Sequence, residues 1–442
     1  MAASKTCYIE SLGCAKNLVD SESMAGLLVQ DGYSSVENPA QANVLVVNTC
    51  GFIAAAREES LQALQRLSAR KRKGQILIAA GCLTQRDRNL VAREVPGLDG
   101  ILSTRRWMDI VDLLHTIRQS PARSAPVYHI PDVPVIGMEE KGIPRVAIQG
   151  ASAYLKIADG CRRPCAFCSI PLIKGPAVSR PVESILSEVR FLAENGIQEI
   201  NLIAQDITDY GHDLGMHDAL PDLLEKIHSV APDIPWIRLL YAYPGAVSDR
   251  LIAQLCEGRI ILPYLDIPLQ HAHPDTLKRM KRPSNMDWVN RTVEKLRQGN
   301  PKIALRTTFI VGYPGETEEE FNTLLDFVRE VKFDRVGVFT FSFEPGTTSE
   351  SLGDPIPPEL KEERYNILMS EQEKLSLVKN QGFIGQRLSV LIEGTDKGIS
   401  IGRSYRDAPE IDGLVIVEKK LAVGEIVEVQ ITGAMAYDLT AR

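Results

Sequence analysis

The sequence predicts an α/β protein in three parts: an amino-terminal open parallel α/β domain, a central partial (βα)6 barrel, and a carboxyl-terminal small antiparallel β-barrel of OB type. Three observations carry this. Short β-branched runs alternate with amphipathic helical stretches in the first part of the chain, the alternation resumes after a proline-rich break, and the end of the chain changes to short strands alone. A length of 442 residues also exceeds what one core usually holds.

In the first part, strands are expected at 7–12, 44–48 and 75–80, with helices at 17–30 and 53–68. The pattern is that of a parallel sheet covered on both faces. Each strand runs out into a cysteine: Cys14 after Ser11-Leu12-Gly13, Cys50 after Val47-Asn48-Thr49, and Cys82 after Ala79-Ala80-Gly81. Open α/β sheets bind ligands at the carboxyl ends of their strands. Three thiols distant in sequence are therefore expected to meet in one crevice, and a three-cysteine iron-sulfur site explains them better than three buried small hydrophobes. The basic run Arg70-Lys71-Arg72-Lys73 suits a solvated helix end.

Prolines at 121, 126, 131, 134 and 144 mark a linker or a surface-running crossover. Beyond it strands are expected at 154–158, 199–203, 237–241, 264–268, 304–311 and 335–341, with helices at 182–194, 220–230, 248–256 and 317–331. Six parallel units with right-handed crossovers curl into an incomplete barrel, with ligands at the carboxyl ends of the strands. Directly after its first strand the chain reads Cys161-Arg162-Arg163-Pro164-Cys165-Ala166-Phe167-Cys168. Thiolates so close converge on one metal centre. A closed zinc site wants four ligands, whereas a 4Fe-4S cluster on three cysteines keeps one iron open. No fourth Cys or His follows at once, so the open-iron reading leads over a zinc knuckle or unrelated core cysteines.

Other strand ends carry polar or glycine text, including Ala204-Gln205-Asp206, Ala242-Tyr243-Pro244-Gly245, Gln270-His271-Ala272-His273 and Gly312-Tyr313-Pro314-Gly315. Turn chemistry alone accounts for such residues too, and His271 with His273 has the look of a metal pair or of ordinary loop histidines. Arg306, on the fifth strand, is suited to pairing with a ligand carboxylate or with a buried structural one. A helix at 358–379 leads into strands at 387–393, 399–406, 414–418, 426–431 and 436–439. From 380 to 442 the chain holds seven Lys plus Arg against nine Asp plus Glu, which suits a basic protein partner better than RNA.

Bulk properties exclude little more. Net charge is -7 and no apolar run approaches a membrane span, so neither nucleic acid nor a membrane is expected as partner. With no apolar leader near Met1 a cytosolic protein is expected, where eight cysteines are not expected to pair as disulfides and six of them, in loops after strands, point to metal ligation. Cys7 and Cys256, inside apolar periodic segments, are expected to be packing residues.

The Cys161 loop, the text Gly13-Cys14-Ala15-Lys16-Asn17-Leu18-Val19-Asp20-Ser21-Glu22, and Ser404-Tyr405-Arg406-Asp407-Ala408-Pro409-Glu410-Ile411-Asp412-Gly413 together resemble the methylthiotransferase family of radical S-adenosylmethionine (SAM) enzymes. The closest likeness is to its branch acting on ribosomal protein; the transfer RNA branch typically reads Gly-Cys-Gln-Met-Asn at the first site. The text from Lys174 to Ser179 departs from the usual Arg-rich one, which bears on local substrate-facing contacts. The resemblance implies a methylthiotransferase domain over 5–120, a linker over 121–146, a radical SAM core over 147–376 and a TRAM barrel over 377–442. It implies two 4Fe-4S clusters, on Cys161, Cys165 and Cys168 and on Cys14, Cys50 and Cys82, with SAM held near Gln205, Ile310 and Gly312. The implied reaction inserts sulfur and a methyl group at the β-carbon of an aspartate in the twelfth small-subunit ribosomal protein, held partly by the TRAM domain. An aspartate β C–H is too inert for acid-base removal at neutral pH, so radical chemistry and an electron donor such as flavodoxin are implied. A transfer RNA adenosine methylthiotransferase and a zinc and RNA-binding non-enzyme are the competing readings, and the first of these predicts a basic barrel.

Overall fold

The computed structural model describes residues 5–119, 125–131 and 142–442. The amino-terminal sheet has six parallel strands in the order Ser34–Ser35, Thr6–Ser11, Val44–Thr49, Ile76–Gly81, Gly100–Leu102 and Val127–His129. Every residue of Val44–Thr49 is buried, as a central strand covered on both faces requires. Helices Ala15–Gln30 and Ile110–Gln119 pack on one face around Met24, Leu28 and Leu114, while Ala54–Ala69 covers the other through Leu61, Leu64 and Leu67. Much of the expected linker lies outside the described residues; within it, Val127–His129 adds the last strand of this sheet.

The second sheet runs Arg335–Thr340, Ala304–Val311, Tyr264–Asp266, Trp236–Leu239, Glu199–Ile203, Ser152–Lys156 and Val146–Gln149. The first six are mutually parallel, as expected; Val146–Gln149 adds an antiparallel edge. The two ends do not pair, so the barrel stays open. Helices Val182–Glu194, Ala219–Val230, Asp249–Glu257, Met286–Gly299 and Glu318–Val331 cover its outer face. The last begins with a capping box in which Thr317 and Glu320 each accept the other's backbone N–H.

After helix Pro358–Gln381, strands Arg387–Asp396, Ile399–Ser404, Val415–Val417, Leu439–Ala441 and Ile426–Ala434 close into a barrel. It is antiparallel except where Val415–Val417 pairs in parallel with Leu439–Ala441, a departure from the all-antiparallel expectation. This barrel docks on the amino-terminal ends of the core strands. Glu199 binds Arg238 at 2.9 Å and Arg403 at 2.6 Å, Tyr264 donates to Asp412 at 2.7 Å, and Arg335 binds Asp407. The acidic pair in the 404–413 text therefore faces the core, where core cations hold it.

Candidate functional site

The three cysteines of the first domain converge at the carboxyl edge of its sheet through one side chain, Asn17. Its Nδ2 donates to the carbonyls of Leu12 at 2.9 Å and Thr49 at 3.0 Å, and its Oδ1 lies 3.6 Å from Cys82 Sγ. Asn17 thus ties together the loops that carry Cys14, Cys50 and Cys82. Gly13 has φ of +90°, and a β-carbon there would stand 2.8 Å from Cys50 Cβ and 2.9 Å from its Sγ. Burial pushes the Cys82 thiol up to about 12 and raises that of Cys50. Desolvation by its neighbours opposes ionisation of Cys14 although the residue is exposed at the surface, but Lys16 and the N–H groups of Asn17 and Lys16, at the start of helix Ala15–Gln30, outweigh it and lower its pKa.

The second loop leaves Ala158–Asp159 and is pinned from several sides. Cys161 N–H donates to the Gly175 carbonyl at 3.0 Å and Ala166 N–H to that of Met280 at 2.8 Å. Arg163 binds Asp206 at 2.6 Å, Arg162 binds Asp209 at 2.6 Å, and Arg282 Nη1 approaches Cys165 Sγ at 3.5 Å. Arg163 and Arg282 both stack on the Tyr243 ring, 4.2 and 4.4 Å from its centroid. Burial holds Cys161 up to about 11 and Cys168 to about 12. Thiols so protonated ionise when a metal replaces their protons.

The two thiol loops abut. Ser169 Oγ, next to Cys168, donates to the Phe52 carbonyl at 3.1 Å, and Arg86 reaches the Gly51 carbonyl at 2.8 Å and Ser169 Oγ at 3.4 Å. Lys174, expected to bear on substrate-facing contacts, is instead buried and binds Asp20 of the first domain at 2.9 Å. Among the described residues no three His, Cys, Asp or Glu side chains are grouped to hold a single metal ion. Two sets of thiols at facing strand ends are a soft donor set, which suits iron-sulfur clusters rather than hard cations.

Gln205, Ile310 and Gly312 lie at the same carboxyl edge of the core. Gln205 follows Glu199–Ile203 and its buried Oε1 lacks a hydrogen-bond partner among the described residues. Ile310 N–H donates to the Gln270 carbonyl at 2.8 Å. Gly312 has φ of +71°, and a β-carbon there would fall 2.4 Å from Lys361 Cγ, so helix packing alone demands glycine. Arg306 is not brought to this edge. It binds Asp266 at 2.9 Å and Asp412 at 3.4 Å, the structural ion pair of its two readings. His271 Nδ1 accepts from His273 N–H and His273 Nδ1 from Asp275 N–H, so His273 caps helix Pro274–Arg279 and His271 holds the loop that leads into it. Cys7 is fully buried, while Cys256 is only partly so.

Comparison with known proteins agrees with this geometry. Residues 6–103 match the Uncharacterized protein family UPF0004, 155–328 the Radical SAM superfamily and 384–442 the TRAM domain. The ribosomal protein uS12 methylthiotransferase RimO of Roseiflexus sp. (strain RS-1) is 47% identical over 98% of this chain and 96% of its own. That of Carboxydothermus hydrogenoformans is 42% identical over 98% of both. The chain belongs to the RimO family. Among solved structures, the radical SAM methyltransferase TsrM from Kitasatospora setae shares the fold, with TM-score 0.58 and 15% identity over 89% of this chain and 79% of that one. OxsB, a cobalamin-dependent SAM radical enzyme, shares it at TM-score 0.54 and 12% identity over 84% of this chain and 56% of its own.

Reading the sequence toward the RimO family left out three residues of the junction: Lys16, Tyr241 and Arg282. Lys16 stands between Cys14 and Asn17, which was a usable signal. Tyr241, just past strand Trp236–Leu239, has φ of +70°, a backbone state that nothing in its side chain announces.

Proposed function

We propose that this chain is a radical SAM methylthiotransferase acting on ribosomal protein uS12, adding sulfur and a methyl group to the β-carbon of an aspartate. The observation that supports it is the abutment of the two thiol loops through Ser169 and Phe52. A donor of radicals and a donor of sulfur must both reach one carbon, and this junction brings both sets of thiols to one place.

In this reading Cys161, Cys165 and Cys168 hold one 4Fe-4S cluster and Cys14, Cys50 and Cys82 a second. Bound there, cluster and SAM supply reductive sulfonium cleavage and a carbon-centred radical. The protein's own part is positional. Arg163, Arg282 and Tyr243 stiffen the Cys161 loop, Asn17 fixes the three first-domain loops, and Gln205 offers an unpartnered amide to the polar parts of SAM beside Ile310 and Gly312. The outer surface of the TRAM barrel contributes to holding uS12, with an electron donor such as flavodoxin supplying reductant in the cytoplasm. The zinc reading asks for a fourth ligand, and no Cys or His follows Cys168 at once in the sequence.

The test is anaerobic reconstitution with iron and sulfide, then incubation with SAM, reductant and either uS12 or transfer RNA. About eight irons per chain are expected, with a mass gain of one methylthio group on uS12 alone. A gain on transfer RNA instead would overturn the substrate. Alanine at Cys14, Cys50 and Cys82 together is expected to stop sulfur insertion while SAM cleavage continues.

A further inference from the structure

Lys16 is a buried cation without a carboxylate. The residue is 8% exposed, and its Nζ stands 3.3 Å from the centroid of the Tyr241 ring, at the carboxyl end of the core barrel. Most other interior cations of this region are matched by carboxylates. Arg145, Lys156 and Lys174 share Asp20, Arg238 and Arg403 share Glu199, Arg306 has Asp266, and Arg335 has Asp407. Arg282 and the buried Arg105 lack a carboxylate too, but Arg282 donates to Cys165 Sγ and the Pro268 carbonyl, and Arg105 to the carbonyls of Ile173 and Leu172. Among the described residues Lys16 has Tyr241, through its ring face and a side-chain hydrogen bond, and the nearby Cys14 thiol, but no carboxylate in salt-bridge contact. Asp266, the carboxylate that acts on it through space, is already held by Arg306 and by the Tyr241 N–H at 3.1 Å.

Keeping an ammonium group out of water with no carboxylate beside it is costly, and a buried charge of this kind at a cleft is a candidate binding group. Its platform is equally specific: Tyr241 is held in a left-handed backbone conformation by Asp266 on one side and by the N–H of Ile207, which its carbonyl accepts, on the other. Lys16 follows Cys14 by two residues and reaches across to the strand ends of the core. A ligand group paired with it lies beside Cys14, at the strand end of the core that carries Tyr241.

We propose that Lys16 binds the side-chain carboxylate of the substrate aspartate. The reasoning rests on the uS12 reading above and deepens it. An aspartate entering this closed junction brings a charge that must be neutralised. Its β-carbon is one bond from the carboxylate carbon, so an ion pair at Lys16 fixes the atom to be modified between the two thiol sets, with the carboxylate itself left chemically unchanged.

The test is a double-mutant cycle using the reconstituted full chain and uS12-derived peptides with Asp or Asn at the modified position, read as Kd and as KM against kcat. Wild type is expected to prefer the Asp peptide about tenfold, the scale of one charge-assisted hydrogen bond. Lys16→Gln is expected to bind both peptides equally, with KM raised more than kcat is lowered. Lys16→Arg keeps the charge and is expected to retain the preference for Asp. An undiminished preference in Lys16→Gln, or none in an iron-replete Lys16→Arg, overturns the role of Lys16 while the uS12 reading stands. Wild type that modifies transfer RNA and leaves uS12 untouched overturns both.

Discussion

Asp20 of the first domain accepts from Lys174 of the core at 2.9 Å, and the same carboxylate binds Lys156 at 2.6 Å and Arg145 at 2.9 Å. With Asp159 the group holds two carboxylates and three cations, none more than 4% exposed. Burial alone would raise the Asp20 pKa; Lys156 and Lys174 outweigh it and keep the group ionised. Lys174 also acts through space on the first-domain thiols Cys14 and Cys82. Asp20→Asn leaves three cations facing one carboxylate and is expected to destabilise the chain by about 3–5 kcal/mol. Urea unfolding checks this, and an unchanged midpoint would show that the network is not what joins the two domains.

The junction of core and TRAM barrel has an acid-sensitive centre in Glu199. Burial alone would raise its pKa, yet Arg238 and Arg403 outweigh that and bring it down to about 2 from an ordinary 4.5. A depressed carboxylate contributes stability that is present above its ordinary value and is lost as pH falls through the folded one. Unfolding free energy is therefore expected to drop between about pH 4.5 and 2. Glu199→Gln should flatten that part of the profile while lowering stability at pH 7. A variant whose acid limb matches wild type would move the sensitivity elsewhere.

Much of this was written in local sequence. Strands Glu199–Ile203 and Ala304–Val311 and helix Val182–Glu194 fall where their periodicity put them, because continuous apolar runs and amphipathic spacing are local properties. The six cysteines were legible because strand ends can be counted. Helix Met286–Gly299 escaped although Asn285 caps it and Val289, Val293 and Leu296 share a face, since its other residues are strongly polar. Edge strand Val127–His129 escaped because Pro126 and Pro131 flank it, a tolerable arrangement only at an edge. What could not be read locally were partners across domains. Lys16, Lys174, Asp407 and Asp412 look like surface charges until another domain covers them.

Glu344, just past the last core strand, reaches into the first domain. Its Oε1 accepts the Ala54 N–H at 2.9 Å at the start of helix Ala54–Ala69, and its Oε2 binds Arg57 and, at 2.8 Å, Arg86. Since Arg86 also holds the Gly51 carbonyl beside Cys50, the carboxylate steadies a thiol loop from the opposite domain. Glu344→Gln should lose about 3 kcal/mol in thermal or urea unfolding, because two partly buried guanidinium groups lose their counter-charge. Wild-type stability in this variant would mean that the arginines find carbonyl partners enough.

Gly13 offers a test of the first-domain site that leaves all six cysteines in place. Its φ of +90° is strained for any residue with a β-carbon, and that atom would meet Cys50 Cβ at 2.8 Å and Sγ at 2.9 Å. Cys50 cannot yield freely, because its N–H and carbonyl are both bonded to Ser60 Oγ at 2.9 Å. The strain therefore falls on the Cys14 turn, and the two thiols are pushed apart. Gly13→Ala is expected to lower bound iron from about eight to about four per chain and to abolish methylthio transfer. Reductive release of 5'-deoxyadenosine from SAM should persist, since the Cys161 loop hangs from a different sheet. Full iron in this variant would show that the Cys14 turn absorbs the added β-carbon and the first-domain thiols still meet on a common ligand.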